Sequence, residues 1–257
     1  MSKKYELVVD DTITFWGWKL FRIKALIRFG SVDAGDLGGY VCTEDNLSQK
    51  GDAWVWGDAK VLGNAKVSGN AKVWGDAKVW GNAKVWGDAK VLGNAKVSGN
   101  AKVSGNAEVS GNAKVWGDAK VWGDAKVWGD AKVLGNAKVW GDAKVWGDAK
   151  VWGDAKVLGN AEVWGDAKVL GNAKVSGNAK VSGNAKVSDF EDVIVFKNHW
   201  SSGRHFTYTK SNKMWRVGCF YGTGQELIDK AYRDSEKSGN FYKAYVEFVA
   251  SLEGLGE

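Results

Sequence analysis

The chain has 257 residues, a formal charge of +6, 16 tryptophans and no proline. Such a length suggests one or two domains, and the valine, alanine and tryptophan content argues against disorder despite the abundant glycine. No apolar stretch approaches the thickness of a bilayer, which excludes a spanning helix, and the modest charge permits an anionic partner without demanding one.

In chain order, Met1–Leu7 carries two lysines but no long apolar run or small-residue cleavage site. No signal peptide is therefore expected, and the expected location is the cytoplasm. Residues 5–9, 12–16 and 18–29 read as strands, the last with Phe21, Ile23, Ala25 and Ile27 at alternating positions. Residues 1–38 are expected to form a β-rich N-terminal cap. Gly39–Glu44 and Asp45–Lys50 then read as degenerate hexads. That register puts Val41 and Leu47 at the alanine position and Cys42 at the outward lysine position.

From Gly51 to Ser188 the chain runs through 23 hexads without an insertion, with the consensus Gly-[Asp/Asn]-Ala-[Lys/Glu]-Val-[Trp/Ser/Leu]. Alanine, lysine, valine and the variable residue alternate, a period-two strand pattern with Ala and Val on one face. Glycine followed by Asn or Asp marks a corner, because these residue types tolerate left-handed backbone. Three hexads per coil give an 18-residue turn, and 23 hexads then span roughly 37 Å at the spacing of paired strands. The expected fold is mainly β: a single-stranded left-handed parallel β-helix over residues 39–188, regular over 51–188. A right-handed or intertwined trimeric helix is the alternative. Each hexad buries one Val and one Ala, so stability must come from stacking, and open solenoid ends need covering.

After Ser188 the period stops. Residues 192–197, 204–210 and 213–220 read as strands. A helix over 225–236 carries Leu227, Ile228, Ala231 and Tyr232 on one face. Ser238–Asn240 reads as a turn before a second helix with Phe241, Tyr245, Phe248 and Leu252 in a stripe. Residues 189–257 are thus expected to form a small α+β module closing the C-terminal end.

Several pieces carry a resemblance. They are Phe21–Leu26, Ala34-Gly35-Asp36-Leu37-Gly38-Gly39, Asn46-Leu47-Ser48-Gln49 followed by Gly51–Val55, and Val217–Thr223 followed by helices with Lys243-Ala244-Tyr245. With the repeats they make nearly the whole chain resemble bacterial phage- and prophage-type hexapeptide-repeat proteins. That resemblance implies a β-helix and a mobile-element origin, and it implies no settled activity.

Hexapeptide β-helices are best known as acyltransferases, which resemble one another in using a histidine base in the coils. Residues 51–188 contain no histidine, the solenoid has no protruding loop, and His199 and His205 both lie beyond it. The chain is therefore expected not to be an enzyme, with no catalytic residue, metal ligand or cofactor; a hexapeptide-repeat acyltransferase is the second alternative. No phosphate loop, zinc spacing or nucleophile–base pair occurs. Cys42 and Cys219 read as unpaired thiols.

The informative surface is outward. Lysine fills the fourth hexad position in 20 repeats, and Trp54, Glu108 and Glu162 replace it. Eleven tryptophans occupy the sixth position, over all three faces. Exposed aromatics at this density point to a partner, and Trp interleaved with Lys suits a polyanion with flat bases. Mutual cover of Trp by Lys is the plainer account. Candidate binding residues are Trp74, Trp80, Trp86, Trp116, Trp122, Trp128, Trp140, Trp146 and Trp152, with Arg204, His205, Trp215, Arg216 and Tyr221 in the C-terminal module. The expected function is a non-enzymatic scaffold or binding protein presenting these ladders to a host macromolecule. A protein partner or self-association is favoured, nucleic acid is the alternative, and neither a membrane nor a small-molecule cofactor is expected.

Overall fold

A computed structural model describes residues 3–255; residues 1–2 and 256–257, at the outer ends of the two expected flanking modules, lie outside it. The chain begins with an antiparallel hairpin, β1 (Tyr5–Phe15) and β2 (Trp18–Ala25), followed by β3 (Leu37–Val41). Twenty-three short strands follow at six-residue intervals, from β4 (Trp54–Val55) to β26 (Lys186–Val187). Every third strand pairs in parallel, so Lys60 faces Lys78 and Val61 faces Val79, and three sheets wrap one shared column. This is a parallel β-helix of 18 residues per coil, consistent with the left-handed hexapeptide type.

The column is dry. The hexad alanines and valines, such as Ala77, Val79, Ala113 and Val115, are fully buried. Backbone bonds such as Lys60 N to Ala77 O (2.9 Å) and Leu62 N to Val79 O (3.0 Å) tie each coil to the next. Corner glycines are required on two counts, as Gly99 shows. Its φ is +67°, and an added Cβ would lie 3.0 Å from both N and O of Gly117 in the following coil. Where asparagine follows the glycine, its amide builds a ladder to the next coil. Asn100 Nδ2 donates to Asp118 (3.0 Å), Asn106 Nδ2 to Asp124 (2.9 Å) and Asn136 Nδ2 to Asp154 (3.1 Å). Asp88, Asp118, Asp124, Asp130 and Asp154 therefore accept from amides of the preceding coil. Among the described residues no corner carboxylate pairs with a solenoid lysine side chain, and Lys60 Nζ donates instead to the backbone carbonyl of Asp58 (2.6 Å).

Several sequence expectations are corrected at the N-terminal end. Val41 pairs with Val61 and Leu47 bridges Val67, so both occupy the valine position, and Cys42 takes the sixth. The register is offset because Gly39, not Val41, passes closest to the next coil; a Cβ there would meet Ala59 O at 2.5 Å. Cys42 accordingly packs beside Leu20, Tyr40, Leu62 and Trp80. Trp54 does not face water. It is 0% exposed, held edge-on by Tyr5 (6.0 Å) and Phe29 (5.3 Å). The exposed strand edges are met by side chains at equivalent hexad positions. Buried Lys4 donates from Nζ to Ala53 O (2.9 Å) and Gly51 O (3.2 Å), while Asn46 Nδ2 donates to Gly63 O and Ala65 O, both at 2.9 Å. β3 covers the third edge through Tyr40 N to Ala59 O (2.9 Å).

Beyond the coils stands an antiparallel sheet of β27 (Val193–Lys197), β28 (His205–Thr209), β29 (Met214–Val217) and β30 (Phe220–Gly222). The single strand expected over 213–220 is two, because Gly218 takes φ +58° and turns the chain back. Helices α1 (Gly224–Asp234) and α2 (Glu236–Gly254) pack on this sheet. Residues 238–240 lie inside α2, not in a turn. The break falls at Ser235, whose side chain caps α2 by accepting from Ser238 N, and Gly239 lets the Tyr232 ring approach. No helix of the described residues is long and apolar enough to cross a membrane.

Candidate functional site

The β28 strand sits against the last strand of one solenoid face, where Lys180 N donates to Thr207 Oγ1 (2.9 Å). Thr207 stands in for the alanine carbonyl that a further coil would supply. On a neighbouring face Ser211 Oγ does the same for Lys186 N (2.8 Å). The first face carries, in order, Trp56, Trp74, Leu92, Ser110, Trp128, Trp146, Trp164 and Ser182. Strand spacing brings its last three indoles into near-parallel stacks, Trp128–Trp146 at 5.0 Å and Trp146–Trp164 at 4.8 Å. The Arg216 guanidinium, from β29, lies 4.9 Å over the outer ring of Trp164. The stack thus runs without a break from solenoid to C-terminal module.

At that junction opens a cleft of about 540 Å³ lined by Asn178, Lys180, Arg204, His205, Arg216 and Cys219. His205 Nδ1 lies 3.2 Å from Nδ2 of Asn178, the last amide of a corner ladder. Donation by the amide leaves the ring proton on Nε2 when His205 is neutral. Arg216 Nε is buried and has no hydrogen-bond partner among the described residues. Lys180 Nζ is 3.2 Å from Glu162, which also meets Lys144 at 3.8 Å. One carboxylate therefore answers two lysines, and the two arginines keep the cleft basic. Cys42 and Cys219 are free thiols, and Cys219 is exposed at the cleft. No cluster of three metal-binding side chains occurs among the described residues.

The expected binding residues separate into groups. Arg204, His205 and Arg216 meet in the cleft. Trp128 and Trp146 join them through Trp164, and Trp74 lies further along the same face, stacked on Trp56 at 6.2 Å. Trp80, Trp116 and Trp152 belong to the second face, Trp86, Trp122 and Trp140 to the third. Trp116 and Trp152 stand apart at 61% and 59% exposure, while Trp122 and Trp140 tilt together at 5.2 Å. Trp215 is corrected outright. It is 2% exposed, packed among Phe206, Tyr208 and Phe196 in the core of the C-terminal module. Its neighbours in β29 alternate outward, as a half-buried strand requires. Tyr221 is a joint, not a free surface. Its hydroxyl donates to Ser182 O (3.4 Å) and accepts from Asn212 Nδ2 (3.1 Å), and burial pushes its phenol pKa up.

Mutual cover of Trp and Lys is not the rule: among the described residues only Lys72 lies over a solenoid indole, that of Trp56 at 5.8 Å. Indoles stack on indoles instead. Sequence reasoning also missed Trp164, Asn178 and Lys180. The position of Trp164 as the last tryptophan of its column was the available signal.

No known protein family matches the chain, and no curated protein matches it. Among solved structures it is similar to the UDP-N-acetylglucosamine acyltransferase of Francisella novicida, with 11% identity and a TM-score of 0.27. The match covers 58% of this chain and 64% of that one, so the chain spans less than two thirds of the enzyme's length. Against the expectation that the chain is not an enzyme stands this match to a transferase, and that expectation is withdrawn. At this identity the match transfers neither activity nor substrate.

Proposed function

We propose that this β-helix protein is a binding module that seats an acidic segment of a partner protein in the basic cleft. The observation that carries this reading is the placing of Arg216 on Trp164. It fixes a guanidinium at the mouth of the cleft beside Arg204, His205 and Lys180. Guanidinium groups suit carboxylates geometrically, and Arg204 and Arg216 both line the cleft. The neighbouring tryptophans supply a stiff wall. Their faces are spent on one another, which disfavours nucleic-acid bases as the ligand. The resemblance to phage- and prophage-type repeat proteins supports a host protein as that partner. Residues 1–38 and 189–257 serve, on this reading, as stops that keep the residue 39–188 solenoid from adding copies at its ends.

Titration with a poly-glutamate peptide and with a single-stranded oligothymidylate, at about 50 and about 200 mM salt, tests the proposal through tryptophan fluorescence. The peptide should bind at the lower salt, and Arg204→Glu should weaken it at least about tenfold without unfolding the chain. Arg216→Lys, which keeps the charge and loses the planar fork, should weaken it too. Absence of peptide binding at low salt overturns the reading, and tighter binding of the oligonucleotide replaces it with a nucleic-acid one.

A further inference from the structure

The hairpin at the other end of the solenoid turns through Trp16 and Gly17, with Phe15 opposite Trp18 and both turn residues left-handed at φ +50° and +80°. Two-residue turns of this kind favour Asn-Gly or Asp-Gly, and a bulky residue at positive φ is strained. Trp16 takes that strain while remaining 59% exposed, touching Phe15 at 4.4 Å and the edge of Trp80 at 5.3 Å. Trp18, 48% exposed, stands beside it. The two indoles with Trp80 and Leu62 wall a recess of about 290 Å³, floored by the corner amides of Asn64 and Asn82. No charged side chain lines it. Strain of this kind clusters at ligand-binding and switch sites, and here it lies at the lip of a recess.

The amides add a second observation. Asn64 Nδ2 donates to Asn82 Oδ1 (3.2 Å), as in every such ladder. The residue one step earlier, Asn46, turns its Nδ2 to the carbonyls of Gly63 and Ala65 instead. Asn64 Oδ1 therefore heads the ladder without a donor from the described residues. A second recess of about 440 Å³ shares Trp18 and Asn64 with the first and continues past Thr43, Asp45 and Lys66, one charge of each sign.

We propose that this groove binds a neutral oligosaccharide. A pyranose ring offers an apolar C–H face to an indole and hydroxyls around its rim to amide and carboxylate oxygens. An ionic ligand would find no counter-charge between the tryptophans, and a purely apolar one would leave Asn64 Oδ1 unmet. Two joined recesses fit more than one ring. The site lies apart from the basic cleft and stands or falls independently of it.

Calorimetric titration of the full chain with cellotetraose and with chitotetraose tests the assignment. At least one should bind with a Kd of about 1 mM or tighter. Trp16→Asn places in the turn a residue that tolerates its backbone, so this variant should melt no lower than the parent while losing at least about tenfold in affinity. Trp18→Ala should lose affinity as well, which keeps the test open should Trp16→Asn misfold. Failure of both sugars to bind at about 10 mM, or unchanged binding in both variants, overturns the proposal. So does a concentration-dependent dimer in sedimentation that Trp16→Asn abolishes, since it would assign these indoles to a second copy of the chain.

Discussion

Gly57 and Gly99 share a left-handed backbone, with φ of +59° and +67°, but not their surroundings. Holding alanine in that region costs about 1–2 kcal/mol at either site. At Gly57 the atom nearest a new methyl is Gly75 O at 3.7 Å, an ordinary contact. At Gly99 the methyl meets N and O of Gly117, both at 3.0 Å. These are backbone atoms fixed by Asn100 N to Gly117 O (2.9 Å) and cannot swing aside. Forcing the coils apart adds about 1–3 kcal/mol, as overpacking does in other cores. Gly57→Ala should therefore lower stability by about 1–2 kcal/mol and Gly99→Ala by about 2–5. Gly93→Ala, with its nearest contact at 3.4 Å, should fall between. Urea titration followed by both circular dichroism and tryptophan fluorescence reads the difference. Two probes are needed because linear arrays can lose coils separately. Equal losses at Gly57 and Gly99, within about 0.5 kcal/mol, would refute the explanation by coil spacing.

Other perturbations probe the two ends. Trp54→Ala should lower stability by about 3–5 kcal/mol in the same titration, since the indole is fully buried; a loss under about 1 would mean the N-terminal coil collapses around the gap. Burial draws Lys4 from its ordinary pKa of 10.5 down to about 8. Between those values the unfolded chain keeps a proton that the folded chain has released, so stability should rise with pH through this window. Lys4→Met should flatten that rise. Burial also pushes the phenols of Tyr5 and Tyr208 up, and above about pH 10 unfolded phenols ionise first, so stability should turn downward there. Thr207→Val removes the acceptor for Lys180 N and should speed hydrogen exchange of that amide at a cost of about 1–2 kcal/mol, while Thr207→Ser should not.

Much of the coil was legible because its period is exact and its alternation leaves no choice of face. Val61 and Ala65 could only point inward together. The flanks were less so, for reasons visible in particular residues. Trp54 sits at a lysine position, and only the hairpin folding over it buries it. The pattern cannot register a neighbour 49 residues away such as Tyr5. Val41 was misplaced by two positions because a repeat template was extended across a segment with no corner glycine of its own to anchor it. Trp215 was read as a contact residue because a tryptophan in a polar strand looks exposed until helices cover it. The cleft was half legible. Arg204, His205 and Arg216 were singled out by type, but their meeting with Trp164 depends on which of three faces the chain exits from, which is a matter of counting to the last coil.

The corner ladders join residues 18 positions apart, so the molecule is assembled in fixed increments. Gaining or losing 18 residues moves the hairpin and the cleft along the axis by about 4.8 Å and leaves their bearing unchanged. Gaining or losing six instead swings one end by a third of a revolution, so the cleft faces a different way from the Trp16 turn. Near-identical hexads invite such slippage in the gene. Copy number is thereby translated into a separation and an angle, and variants of this protein would differ in reach and orientation while keeping the same Val/Ala column.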